Sequence, residues 1–373
     1  MATITETTTR LTAPVGRLFS QGPDFKYGDF RDDLLQNGYA VVKGAVPRER
    51  ALKYADDIYQ WLEDLYVSTI SHALQPLIQS HSNLGFKRDD PSTIHKDHLP
   101  DINEKGMCLG YAISHESFTW AVRQEPEVTK AFEKVYDTED LIVSFDSVNI
   151  GFPNRKDMQP NKPWPHQDQD PEEPGFRCLQ GLVNLLPNGP KDGGLIVCKG
   201  AHRLSEELHE EFKDEEEKVW TWYMKPRSHM NTHLNESFRT RHWYGLTTAN
   251  MNWLKEKGCE WIKVEAEPGD LLLWDSRTPH YNVSSESDQN RFAVYTCYMP
   301  VADATKEELE VKKKAFEETK MTTHWPNAKH VVELPVTRNG EPDPYQRTSP
   351  QKPVQLSERG YKLTGIPYLE SMA

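Results

Sequence analysis

Pro163-Trp164-Pro165-His166-Gln167-Asp168 is the stretch on which the fold turns. On a strand, residues i and i+2 project to one face, so His166 and Asp168 point together into the interior. A neutral imidazole and a carboxylate side by side offer two ligands to a divalent metal. A hydrogen-bonded His–Asp pair in a turn reads the same six residues as well, and the motif alone does not choose between them.

Two features further along favour the metal. Glu267-Pro268-Gly269-Asp270-Leu271-Leu272-Leu273-Trp274-Asp275-Ser276-Arg277-Thr278-Pro279-His280 is a turn, an apolar strand and a histidine at its far end. Arg291 then opens another strand-like run, Arg291-Phe292-Ala293-Val294-Tyr295. An arginine entering a β core needs an anionic partner, because its charge cannot be shed. His166, Asp168 and His280 make a two-histidine, one-carboxylate set, which suits non-haem Fe(II) and leaves coordination positions open.

These residues resemble the phytanoyl-CoA dioxygenase-like group of Fe(II)/2-oxoglutarate-dependent oxygenases, over most of the chain. Leu34-Leu35-Gln36-Asn37-Gly38-Tyr39-Ala40-Val41-Val42 is similar to the family's helix–strand entry. His166-x-Asp168 resembles its metal motif, and Gly193-Gly194 through Gly200-Ala201-His202 its glycine-rich strand. His280 and Arg291 match its distal histidine and its 2-oxoglutarate arginine. The resemblance implies a mainly β fold with flanking helices, built on a double-stranded β-helix (jelly-roll, cupin-like) core. It also implies that His166, Asp168 and His280 hold Fe(II), that Arg291 binds the distal carboxylate of 2-oxoglutarate, and that O2 is the oxidant. Asn282, Asn149 and Asn184 fall where relatives place cosubstrate contacts, although several relatives have tryptophan where Asn184 stands. For all three the alternative is a buried amide satisfying nearby backbone. Trp164, Trp274 and Tyr295 are candidates for a pocket wall or for packing.

Outward from that core, residues 1–24 read as an arm and 25–373 as one oxygenase domain. Within it, 25–140 is the helical N-terminal part, 141–300 the jelly roll with an insertion at 203–258, and 301–373 a helix and wrapping tail. Ala51, Tyr54, Ala55, Ile58, Trp61 and Leu62 recur at helical spacing, which predicts an amphipathic helix over 48–65. Residues 141–150 read as a strand and 205–219 as a surface helix. Thr305-x-x-Glu308 resembles a capping box opening a helix that runs to about 320. The second half of the insertion is aromatic and basic, and is expected to be either a lid over the site or packing on the barrel wall.

The chain has 373 residues and a net charge of −13, a balance that repels phosphate backbones and argues against a nucleic-acid partner. No run approaches the ~18 apolar residues of a membrane span. Five scattered cysteines without CxxC spacing argue against a disulfide framework or a thiolate zinc site. Residues 1–9 lack an apolar signal core and the last residues are not an SKL-type address, so a cytoplasmic enzyme is expected. The expected activity is oxidation of an unactivated C–H of a small organic metabolite, in secondary metabolism, by hydroxylation, desaturation or cyclisation. The alternatives are an acyl-CoA hydroxylase and a non-catalytic jelly-roll binding protein. A zinc hydrolase built on His229, His233 and His242 lacks a glutamate at the HExxH position.

Overall fold

The structure, a computed structural model, describes residues 25–65, 83–153, 155–171, 173–213, 243–328, 331–332 and 336–372. The arm 1–24, the segment 214–242 with its three histidines, and the far end of the expected 205–219 helix lie outside the described residues.

Helix α1 (Phe30–Asn37) starts at Asp29, whose carboxylate accepts from Arg31 N, and stops at Gly38, where φ is 80°. Strand β1 (Tyr39–Val42) follows, then α2 (Arg48–Glu63), which buries Ala51, Ala55, Ile58, Trp61 and Leu62 as their spacing predicts. After the short strand β2 (Met107–Cys108), helices α3 (Ser117–Arg123) and α4 (Pro126–Tyr136) complete the helical layer.

Residues 141–150, read as one strand, form two: β3 (Leu141–Val143) and β4 (Val148–Gly151). They separate because β3 pairs with β13 (Tyr298–Pro300) and β4 with β12 (Arg291–Tyr295), and the Ser147 hydroxyl, donating to Cys108 O, holds the break. The rest of the jelly roll is β5 (His166–Gln167), β6 (Leu179–Asn184), β7 (Gly194–Lys199), β8 (Tyr244–Gly245), β9 (Glu260–Lys263), β10 (Leu271–Asp275) and β11 (His280–Val283). All pairings are antiparallel. One sheet runs β1-β10-β6-β12-β4-β2 with β13 and β3 attached, and the other runs β8-β5-β11-β7-β9. This is a double-stranded β-helix.

Period-two alternation divides each strand between two cores. Leu272, Trp274, Leu182 and Ala293 point inward and meet Leu195 and Val197 of the opposing sheet. Their neighbours Leu271, Leu273, Val183, Phe292, Val294, Val148 and Ile150 point outward and are covered by the helical layer. A second small core, with Cys198, Leu208 and Leu254, packs helices α5 (Ser205–Glu211) and Thr248–Glu256 behind the smaller sheet. The helix Lys306–Glu317 opens with the expected capping box between Thr305 and Glu308. All five cysteines are free and buried. Among the described residues no helix is long and apolar enough to cross a membrane.

Candidate metal centre and cosubstrate pocket

The alternation that builds the inner core also selects which polar side chains enter it. His280 and Asn282 on β11, Arg291 and Tyr295 on β12, and Asn149 on β4 take inward positions. His280 and His166 are direct cross-strand partners on β11 and β5. Only His166 and Gln167 are strand; Asp168 continues past the end of β5, its N–H donating to Ser276 O at 3.2 Å. The apolar run 271–275 and His280 do not share a strand. The chain turns at Asp275, which accepts from Arg277 N and Thr278 N, and crosses to the other sheet before His280.

That crossover is anchored from the N-terminal entry. Gly38 O accepts from Asp275 N at 3.0 Å and from the Thr278 hydroxyl at 2.8 Å. A Cβ on Gly38 would lie 2.5 Å from both His202 Nδ1 and Thr278 Oγ1, and φ there is positive, so only glycine fits. The helix–strand entry thereby sets where His280 begins.

His166, Asp168 and His280 each offer a ligand atom, all within 4.8 Å of one another. Asp168 lies 3.4 Å from Nε2 of each histidine. All three are buried, at 3%, 8% and 6% exposure respectively. His166 Nδ1 contacts Trp164 O at 3.1 Å and His280 Nδ1 contacts Thr278 O at 3.0 Å. A carbonyl only accepts, so each ring carries its proton on Nδ1 and turns a lone pair on Nε2 toward the centre. Gln180 Nε2 donates to Asp168 Oδ2 at 2.8 Å and fixes the carboxylate. Burial alone would raise the Asp168 carboxyl, but His166, His324 and the contacts from both ligand histidines hold it well below its usual range. Burial lowers the His166 imidazole, keeping it neutral as a metal ligand must be. The donor set fits a divalent metal with open positions.

Arg291 is 6% exposed, and among the described residues it makes no ion pair. Its Nη1 donates to Asn149 Oδ1 at 2.5 Å, while Nε is buried without a partner. Burial pulls the guanidinium down from its usual value, yet an arginine stays charged. Behind it, burial and the Arg291 charge lower the Lys263 ammonium to about 8. A buried cationic pole without an internal carboxylate is a cradle for an anion.

Asn149 also donates to Lys105 O at 2.9 Å. Asn282 donates to the same carbonyl at 2.6 Å and accepts from Asn161 and from the Trp164 indole, which it clamps against the site. Asn184 departs from its expected place. It does not line the cavity; its amide donates to Leu186 O and Glu267 O, holding the turn before β10. It is the backbone-satisfying asparagine of the two readings.

The triad and Arg291 share a cavity of about 310 Å³, whose wall includes Trp164, Trp274 and Tyr295. Trp164 stacks on His166 at 4.3 Å and the Lys105 ammonium lies 3.4 Å over the Trp164 ring. Trp243, one of the aromatics of the insertion's second half, lines it too; so do Gln180, Lys105, Asp146 and His324, which the sequence reading did not find. Gln180 was within reach, because it shares the inward parity of Leu182 on β6. The others reach the cavity from loops, where no periodicity marks an inward residue.

The family model for phytanoyl-CoA dioxygenase matches residues 34–293. The chain is 36% identical over 307 residues to "Ava biosynthesis cluster protein O" of Aspergillus versicolor, spanning 82% of this chain and 88% of that one. Among solved structures it is similar to EctD from S. alaskensis with 2-oxoglutarate and 5-hydroxyectoine, at 13% identity and TM-score 0.44, covering 79% and 83% of the two chains. It is also similar to the epimerase SnoN in complex with Fe3+, alpha ketoglutarate and nogalamycin RO, at 16% identity and TM-score 0.43, covering 72% and 82%.

Proposed function

The chain belongs to the phytanoyl-CoA dioxygenase family, whose members are non-haem Fe(II)/2-oxoglutarate-dependent oxygenases, and on that premise we propose how this chain works and on what. His166, Asp168 and His280 hold Fe(II), and Arg291 binds the distal carboxylate of 2-oxoglutarate. Residues 25–373 act as one catalytic unit. The substrate is a small organic metabolite, and the setting is secondary metabolism, as the name of the Aspergillus versicolor relative suggests. The reaction is oxidation of an unactivated C–H, giving a hydroxylated product, or a desaturated or cyclised one.

When bound, Fe(II) with 2-oxoglutarate and O2 supplies C–H oxidation coupled to decarboxylation of the cosubstrate to succinate. The chain's own residues do the rest. The Trp164 and Thr278 carbonyls hold the imidazole protons on Nδ1, so both Nε2 atoms stay free to ligate. Gln180 holds the Asp168 carboxylate in one orientation. Asn149 aims the Arg291 fork, which suits bidentate capture of a carboxylate. Trp164 and Trp274 pack against the ligand histidines and exclude water from the reacting centre.

The observation that carries this reading is the convergence of a 2-His-1-carboxylate set and a buried arginine without an internal anion in one cavity. Asp168→Ala tests it. The variant removes the only charged ligand, so iron content after anaerobic loading should collapse and succinate formation should fall to background, with an unchanged far-UV spectrum. Wild-type iron content and succinate formation in Asp168→Ala would sink the assignment. Product mass with a metabolite panel then separates gain of oxygen from loss of two hydrogens.

A further inference from the structure

Besides the triad and Arg291, the cavity is lined by a second group of polar residues. Arg291 and Tyr295 are the ends of β12, about 13 Å apart at strand rise. The register sets Arg291 opposite Gly151 and Val294 opposite Val148, and Tyr295 N meets Ser147 O. Asp146 precedes Ser147 and so follows the backbone past the Tyr295 end of β12, and it lines the cavity.

The C-terminal segment brings a second group to the same place. Thr322 N donates to Phe145 O and Phe145 N to the Thr322 hydroxyl, both at 2.9 Å, which zips residues 321–324 alongside Phe145 and Asp146. Thr323 and His324 consequently line the cavity beside Asp146. Their Oγ1 and Nε2 atoms are buried and have no hydrogen-bond partner. One Asp146 oxygen accepts from Ser147 N at 2.6 Å; the backbone carbonyl of Asp146, not its carboxylate, takes the Arg123 guanidinium. Among the described residues the Asp146 carboxylate makes no ion pair, and burial pushes it up against the opposing pull of His324.

The Asp146 residue lines the cavity with a carboxylate the protein under-uses, and an imidazole nitrogen and a hydroxyl left without partners lie buried in the residues beside it; together they are a recognition site for a polar group. We propose that Asp146, supported by His324 and Thr323, anchors the primary substrate by accepting from an N–H or O–H group on a flat, largely apolar molecule. The proposal rests on the reading above, that this cavity is the oxygenase's substrate chamber. Trp164, Trp243, Trp274, Met107 and Leu109 supply apolar wall to the same cavity. The arrangement separates two recognition tasks. Arg291 takes an anion at one end of β12, and Asp146 takes a donor at the other, so substrate and cosubstrate do not compete for one contact.

Calorimetric titration of Zn(II)-loaded, full-length protein with three matched probes tests the anchor: 2-(2-naphthyl)ethylamine, 2-(2-naphthyl)ethanol and 2-ethylnaphthalene. A hydrogen bond to a charged acceptor is worth roughly a 10- to 100-fold change in affinity. The wild type should prefer the amine and the alcohol over the hydrocarbon by at least about 10-fold, and Asp146→Ala, which removes both acceptor oxygens, should lose that preference. Both donor probes gaining equally marks a neutral hydrogen bond, and an amine advantage over the alcohol marks charge; either supports the anchor. If Asp146→Ala does not fold, His324→Ala carries the test and must cut the preference about 3-fold or more. Equal affinities in the wild type, or a preference that survives the substitution, overturn the proposal. 2-Oxoglutarate titrated into the same wild-type protein separates the two readings. Cosubstrate binding without donor preference sinks the anchor alone, and donor preference without cosubstrate binding sinks the oxygenase assignment and leaves the anchor.

Discussion

Replacing Arg291 by alanine should disable cosubstrate capture while sparing metal binding. Arg291 is almost fully buried, is aimed by Asn149, keeps an unpartnered Nε, and makes no ion pair with any described residue. Its charge is thus held ready for an external anion. Removing one partner of a buried charge pair costs about 3–5 kcal/mol, which corresponds to weakening of 2-oxoglutarate by roughly 100- to 5,000-fold. Arg291→Lys should fall between, because a lysine restores the charge but not the planar fork. Neither variant alters a ligand atom of the triad, so iron affinity should shift far less. The assay is titration of 2-oxoglutarate into anaerobic Fe(II)-loaded protein, with metal content measured on the same samples. A folded Arg291→Ala variant that binds 2-oxoglutarate within about 3-fold of wild type would refute the reasoning and remove Arg291 from the site.

Gly194 has φ +98° and a Cβ there would stand 2.7 Å from Arg291 Nε, so Gly194→Ala should raise KM for 2-oxoglutarate by roughly 10-fold or more through displacement of the guanidinium; steady-state succinate formation checks it. Burial raises the Glu116 carboxyl to about 7, against hydrogen bonds from Gln351 N and the Trp61 indole. The folded state then binds this proton more tightly than the unfolded one, so stability is fullest below the unfolded value and falls as pH rises toward and through 7. Glu116→Gln should flatten that slope, the variant gaining on wild type by up to about 3 kcal/mol above pH 7, read from Tm or denaturant midpoints across pH. Thr305→Ala removes the acceptor that caps Glu308 N and should cost about 1 kcal/mol in urea unfolding without changing turnover; a midpoint unmoved within error would show that this cap contributes nothing to stability.

Much of this molecule is legible in linear order because its determinants are local. Two-residue spacing tells that His166 and Asp168 share a face, helical spacing marks the buried face of 48–63, and Thr305-x-x-Glu308 announces its own cap. Side-chain direction and capping depend on neighbours a few residues away, so pattern suffices. The order His166, Asp168, His280, Arg291 carries the family, and with it the fold and the cofactors. Only the tertiary structure decided which strand faces which. It divided 141–150 between two partners, moved His280 to the sheet opposite Leu271–Asp275, and tied its start to the carbonyl of Gly38, distant in sequence. It assigned Asn149 to Arg291 and Asn184 to a turn, although the same residue type stands at both. It also brought Lys105, Asp146 and His324 to one cavity from three loops. Loop residues carry no periodicity, and a buried amide or carboxylate acquires its role from whatever long-range pairing sets beside it. Chemistry that depends on such juxtaposition is written in the sequence only through the whole fold.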